Sequence, residues 1–262
     1  MPHILIETFS FVAYLLFGYM TFWFFVALFL KRNDVADIAW GLGFILVAIS
    51  IFGMGGVWFD RGFVVTALVT IWGLRLAFHI FKRNIHKPED KRYAVWRESW
   101  GKWFVVRSYF QVFILQGILL FLIVSPVVLV TLFRGNIWTV WDVLGIGVWL
   151  VGFYFEGVGD RQLRNFLKNP DNKGKILNTG LWKYTRHPNY FGEVTQWWGI
   201  WIIALSVPFG VWTIVGPLTI TFLILKVSGV PMLEKSMAEN PVFDEYRRTT
   251  SAFFPLPPKV KN

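Results

Sequence analysis

The 262-residue chain reads as an all-α integral membrane bundle of seven transmembrane helices in a single domain. Three observations predict it. Hydrophobic side chains make up 55% of the sequence and charged ones only 16%, against about 25% in soluble domains, so a water-facing surface cannot be covered. Fifteen Trp and twenty-seven Phe supply the amphipathic and lipid-facing aromatics that collect where one end is dry and the other wet. Seven apolar stretches approach the roughly 20 residues that a spanning helix needs.

In order, the predicted spans are 4–30, 35–57, 62–81, 109–133, 138–156, 190–207 and 209–233. The first is too long for a signal peptide and lacks a basic start and a small-residue cleavage site, so it is expected to stay as a helix. Connections 31–34, 57–61 and 134–137 are short, and Pro208 alone is expected to separate the last two spans. Loops 82–108 and 157–189 are long. Together 31–34, 82–108, 157–189 and the tail hold 22 of the 26 Lys and Arg, whereas the opposite loops carry only Arg61 and Arg134. Cytoplasmic loops carry the basic excess, which predicts the N-terminus outside and the C-terminus in the cytosol; were the chain bacterial, the membrane would be the cell membrane. The net charge of +10 follows from this asymmetry and is compensated by anionic headgroups, so no nucleic-acid partner is expected.

The absence of Cys excludes a disulfide scaffold, a thiolate metal site, an iron–sulfur cluster and a cysteine nucleophile. None of His3, His79, His86 and His187 makes the i,i+4 pair of a helical metal site, so no metal is expected. Ionisable residues inside spans cost at least about 2.5 kcal/mol each and mark function by default. Asp37, Arg75, His79, Glu156, Glu193 and Lys226 all fall in the cytosolic leaflet of their spans. A charged pocket there suits an anionic cytosolic cofactor and a lipid-soluble substrate.

The densest polar chemistry is the run Gly180 to Glu193, which leads straight into an apolar helix. Pro188 suits a helix start, Gly192 is expected to let a ligand approach the backbone, and Lys183, Arg186 and His187 can neutralise phosphate beside the positive helix end. Asn189 and Glu193, four residues apart, share a face, as do Asp160 and Arg164.

At these residues the chain resembles the membrane steroid 5-alpha-reductase superfamily, in particular its uncharacterised bacterial branch. Asp160 with Leu163-Arg164, Lys175-Ile176, Gly180 with Tyr184, Asn189-Tyr190-Phe191-Gly192-Glu193, and Tyr246 followed by Pro255 match its C-terminal motifs. The resemblance implies a seven-helix bundle that holds NADPH on its cytosolic side and delivers hydride to a carbon–carbon double bond conjugated with a carbonyl. By position it implies cofactor contacts at Arg83, Asp160, Arg164, Lys175, Tyr184, Asn189, Glu193, Lys226 and Tyr246, joined by Arg186 and His187 from the loop. The N-terminal half departs from the family: its third-span Tyr is Ile80 here, Asp34 and Asp37 replace its Gln-Glu pair, and Ser228-Gly229-Val230-Pro231 replaces its tail histidines. The substrate expectation is therefore a lipophilic alkene rather than a steroid as such. The expected catalytic residues are Asp37, His79 and Glu193, with Tyr93 as another candidate donor.

Arg186-His187-Pro188-Asn189-Tyr190-Phe191-Gly192 also satisfies the Arg-His-Pro-x-Tyr-x-Gly block of isoprenylcysteine carboxyl and phospholipid methyltransferases, and the tail around Glu234 is similar to theirs. That resemblance implies S-adenosylmethionine as the alternative cofactor. A third reading is a non-enzymatic membrane scaffold that binds neither.

Overall fold

The computed structural model describes residues 2–55, 59–133, 135 and 137–259, with Ser236 described by its backbone alone. Arg134, and with it part of the outer charge pattern, lies outside the described residues. These residues are helical throughout their regular structure, with no strand among them. Six segments are long and apolar enough to cross a membrane: Pro2–Leu30, Val35–Gly53, Arg61–Asn84, Lys91–Leu132, Val140–Lys168 and Gly210–Lys235. The chain divides into two compact units, Met1–Trp138 with Val207–Thr213, and Thr139–Ser206 with Ile214–Asn262.

In the first unit, α1 (Pro2–Leu30) buries Thr8, Val12, Leu16, Met20, Phe24 and Ala27, a stripe at intervals of three and four residues. Phe11, Phe17, Phe22, Phe25 and Phe29 remain exposed on its other faces, as lipid contact allows. A left-handed Lys31 (φ 55°) ends the helix. The next two helices, α2 (Val35–Gly53) and α3 (Arg61–Asn84), meet at Gly41 and Gly73, where an added Cβ on Gly73 would lie 2.7 Å from the Gly41 carbonyl oxygen. Asp60 caps α3 by accepting from the Phe63 amide at 2.7 Å.

Residues 82–108 are not a plain loop. They contain α4 (Lys91–Trp100), capped by Asp90, and α5 (Phe104–Ser108), which continues through a π-helical turn (Tyr109–Ile114) into α6 (Leu115–Leu132). Lys and Arg are frequent in this stretch and mask its periodicity, while Tyr93 and Phe104 are the aromatic side chains buried in it, along with Asn84 and Ser108. Tyr93 joins a core with Met20, Phe24, Val35, Ala36 and Phe113.

In the second unit, α7 (Val140–Lys168) continues past the span end at 156 through Asp160 and Arg164, whose shared face the i,i+4 spacing implies, and packs antiparallel against α8 (Pro188–Ala204). Glycines repeating every seven residues make the approach possible: Gly145 meets Gly199 and Gly152 meets Gly192, carbonyl oxygens lying 2.5–2.7 Å from where a Cβ would be. Gly192 therefore admits a helix rather than a ligand, because its open side is filled by Gly152 and the Glu156 amide. Residues 205–214, not Pro208 alone, intervene before α9 (Val215–Phe222), since Phe209 adopts φ 61° and Gly210–Ile214 forms a 3-10 turn. A π-helical turn (Leu223–Val227), α10 (Val230–Met237) and α11 (Pro241–Thr249) follow. At 17 residues α8 is shorter than the six long segments.

Candidate functional site

In the second unit, polar side chains converge on the start of α8, where free backbone amides and the helix dipole favour negative charge. Pro188 occupies the first helical turn and Arg186 and His187 precede it. Four of the five N–H donors of the Arg186 guanidinium are engaged: Nε and Nη2 donate to Glu234 Oε1 at 2.9 and 2.7 Å, and Nη1 donates to the carbonyls of Arg247 and Thr250 at 3.0 and 2.6 Å. Its backbone amide donates to Ser251 at 2.9 Å. Arg186 thus anchors α10, α11 and the segment after them to the front of α8.

His187, 1% exposed, shares Glu234 through Nε2 at 3.1 Å and stacks on Tyr190. Burial pulls its pKa below the usual 6.5, against the opposing pull of the Glu234 carboxylate. Its Nδ1 is buried without a partner, as is Asn189 Oδ1, while Asn189 Nδ2 donates to Asp160 Oδ1 at 3.2 Å. Two turns further along α8, Gln196 donates to Glu156 and leaves Oε1 unmet. Buried polar atoms are normally paired, so the two orphans at the helix start, His187 Nδ1 and Asn189 Oδ1, point to a ligand that completes them. Behind them the Tyr246 hydroxyl donates to the Trp182 carbonyl, and Trp182 Nε1 donates to the Gly159 carbonyl at 3.1 Å. Burial raises the Tyr246 pKa far enough to keep this hydroxyl protonated.

Of the residues expected in this unit, the structure joins Asp160 to Asn189 and Arg186 to His187, and seats Tyr246 behind them. Glu193 is half-buried on α8 and engaged within the protein. Arg164, Lys175, Tyr184 and Lys226 are exposed and form no ion pair among the described residues. Glu234, which binds both Arg186 and His187, entered the sequence reading only through the likeness of its tail to the methyltransferases, and its contacts did not.

The first unit carries its own cluster at the start of α2. Tyr93, 3% exposed, donates its hydroxyl proton to Asp37 Oδ1 at 2.6 Å, and Arg92 Nη2 donates to Asp37 Oδ2 at 2.8 Å. Arg92 is shared with Asp90, its Nε lying 3.0 Å from Oδ1. A second knot surrounds Asp34, which takes Arg32 at 2.6 Å and Asn84 at 3.3 Å. His79 and Arg75 are half-buried on α3 and engaged, and Arg83 is exposed, donating to Asn84 Oδ1 at 3.0 Å. No group of three or more His, Cys, Asp or Glu that could hold a metal occurs among the described residues. The sequence brought Tyr93 into consideration but not its contact with Asp37, since 56 residues separate them.

Among known proteins, the chain is 25% identical over 266 residues to an uncharacterized protein of Schizosaccharomyces pombe, covering 88% of this chain and 74% of that one. Over 64 residues it is 39% identical to 3-oxo-5-alpha-steroid 4-dehydrogenase 1 of Homo sapiens, and over 62 residues 37% identical to that of Mus musculus. These matches span 24% of this chain and about a quarter of the length of the steroid enzymes. No solved structure matches it significantly. The profile of a family described as a protein of unknown function, DUF1295, within the steroid 5-alpha-reductase-like group, matches residues 23–250, and the chain belongs to that family.

Proposed function

We propose that the protein is a seven-span membrane reductase that takes hydride from NADPH and saturates a carbon–carbon double bond in a lipophilic substrate. The observation that carries this reading is the unmet pair His187 Nδ1 and Asn189 Oδ1 at the start of α8, in a chain of the steroid-reductase-like group. Asn189 Oδ1 accepts from a donor such as a ribose hydroxyl or a carboxamide, and Asp160 holds the amide in that orientation. The exposed Arg164 and Lys175 are the cations for phosphate, since Arg186 is spent on Glu234 and the backbone carbonyls. Bound NADPH supplies hydride. A donor must then serve the oxygen where negative charge develops. Tyr93 has that chemistry, with Asp37 orienting its hydroxyl and Arg92 holding Asp37 in place. His79 and Glu193 remain candidates on α3 and α8. In this reading the N-terminus lies outside and the basic loops face the cytosol.

Methyl transfer from S-adenosylmethionine is the second reading, favoured by Glu234 gathering Arg186 and His187 of the Arg-His-Pro-x-Tyr-x-Gly block. Thermal-shift titration of the detergent-purified protein separates the two, because a ligand that binds only the folded state raises its apparent stability. Stabilisation by NADPH but not S-adenosylmethionine is expected. The reverse transfers the site to methyl transfer, and silence from both favours a scaffold.

A further inference from the structure

The 42-residue stretch Lys91–Leu132 is about twice as long as a bilayer crossing requires. Its apolar part is the C-terminal portion. At Gly101, with φ 48°, the chain turns, so α4 precedes the crossing rather than extending it. The stretch 91–107 is two-sided. Inward, Tyr93 and Arg92 grip Asp37, and Arg97 grips Glu89 at 2.9 Å and the Lys31 carbonyl at 3.1 Å. Glu89 in turn accepts from the Asn33 amide at 2.6 Å. The acids of this region are thereby spent inside the protein. Outward, Lys91, Lys102 and Arg107 are exposed and without ion pairs among the described residues, and Val95 and Trp103, 60% and 57% exposed, stand among them. Glu98 is the one exposed acid between 91 and 107.

Exposed Trp and Val interleaved with uncompensated cations suit a surface that must be apolar at one depth and cationic at the next. A bilayer interface bearing anionic headgroups offers that pairing. We propose that the outward side of α4, the turn after it and α5 seats acidic phospholipids, phosphodiester against Lys91, Lys102 and Arg107 and acyl chains against Val95 and Trp103. Because the same helix grips Asp37 and Glu89 from its other side, a seated lipid also holds α4 docked. This inference does not depend on which cofactor the second unit binds.

The test uses the full-length protein in neutral detergent, titrated with phosphatidylglycerol or phosphatidylcholine at matched chain length. Melting temperature and amide hydrogen exchange over 91–100 are read together. Phosphatidylglycerol is expected to raise the melting temperature by several degrees more than phosphatidylcholine and to slow exchange in α4, with the difference shrinking as salt is raised. The triple variant Lys91→Gln, Lys102→Gln, Arg107→Gln loses that difference, and Lys102→Glu alone reduces it should the triple fold poorly. A matched triple, Lys173→Gln, Lys235→Gln, Arg248→Gln, keeps it. Equal gains from both lipids, equal loss in the matched triple, or reproduction of the effect by glycerol phosphate would each overturn the proposal: the first leaves only acyl-chain contact, the second a diffuse charge effect, the third a free-anion site.

Discussion

His187 and Asp37 carry the sharpest residue-level expectations. A buried imidazole whose folded pKa lies below its unfolded value of about 6.5 stays neutral while the unfolded chain takes up a proton. Its contribution to stability is therefore complete above pH 7 and is lost as the pH falls through 6.5 towards the lowered folded value. Melting temperature should decline over that window in the wild type, and the decline should be shallower in His187→Gln. Parallel profiles would mean that folding leaves the imidazole pKa unshifted, and a steeper decline in the variant would mean that the fold holds the imidazole protonated. At Asp37 the expectation is kinetic: Tyr93→Phe removes the hydroxyl and leaves the ring in its core, so turnover with an enone should drop by about 100-fold or more if the hydroxyl is the donor. The thermal shift with NADPH should survive in that variant, which separates a donor from a cofactor contact. Undiminished turnover would assign the donor elsewhere, with His79 next to be tested.

Helix α8 shows which properties of an element a sequence can report. Its apolar run and the Pro188 start were legible because lipid contact and the first helical turn each demand a composition. The partner of its glycine face was not, since a small residue reads the same whether a ligand or a helix approaches. The geometry decides for the helix: a Cβ at Gly192 would sit 2.4 Å from the Glu156 amide nitrogen and 2.5 Å from the Gly152 oxygen, both backbone atoms that cannot swing aside. Gly192→Ala and Gly152→Ala should each destabilise by roughly 1–3 kcal/mol, the usual cost of overpacking. Gly147 and Gly157 lie on the same α7 with nothing within 4 Å of a Cβ, so alanine there should be neutral or mildly stabilising. Chemical denaturation of the four variants in one detergent checks both halves. The Arg186 anchor escaped the sequence for a related reason. A cation before a helix start reads as an anion ligand until Glu234, 48 residues away, is seen to occupy it. Arg186→Ala leaves the Glu234 carboxylate facing a buried site, and should cost about 3 kcal/mol or more and expose 230–250 to protease.

For the whole molecule, composition made the membrane class legible and charge placement made a topology legible, while pairings between distant residues such as Asp37 with Tyr93 required the fold. The topology rests on an asymmetry of 22 in 26 basic residues, and the chain offers an unusually clean way to test it because it contains no Cys. A single introduced thiol is the only site for a maleimide. Phe59, 79% exposed in the short connection before α3, and Trp138, 46% exposed before α7, are expected on the outer face. Lys102 in the turn after α4, and Lys173 between α7 and α8, are exposed positions expected in the cytosol. In intact cells a membrane-impermeant maleimide should label Phe59→Cys and Trp138→Cys but spare Lys102→Cys and Lys173→Cys until the cells are opened. Labelling of the opposite pair would invert the orientation and place the α8 entrance away from cytosolic NADPH, removing the topological support for the reductase. Mixed labelling within a pair would mean that a crossing between its two positions fails, α3 or α6 for the outer pair and α6 or α7 for the inner pair, so that the connections alternate otherwise than seven spans require.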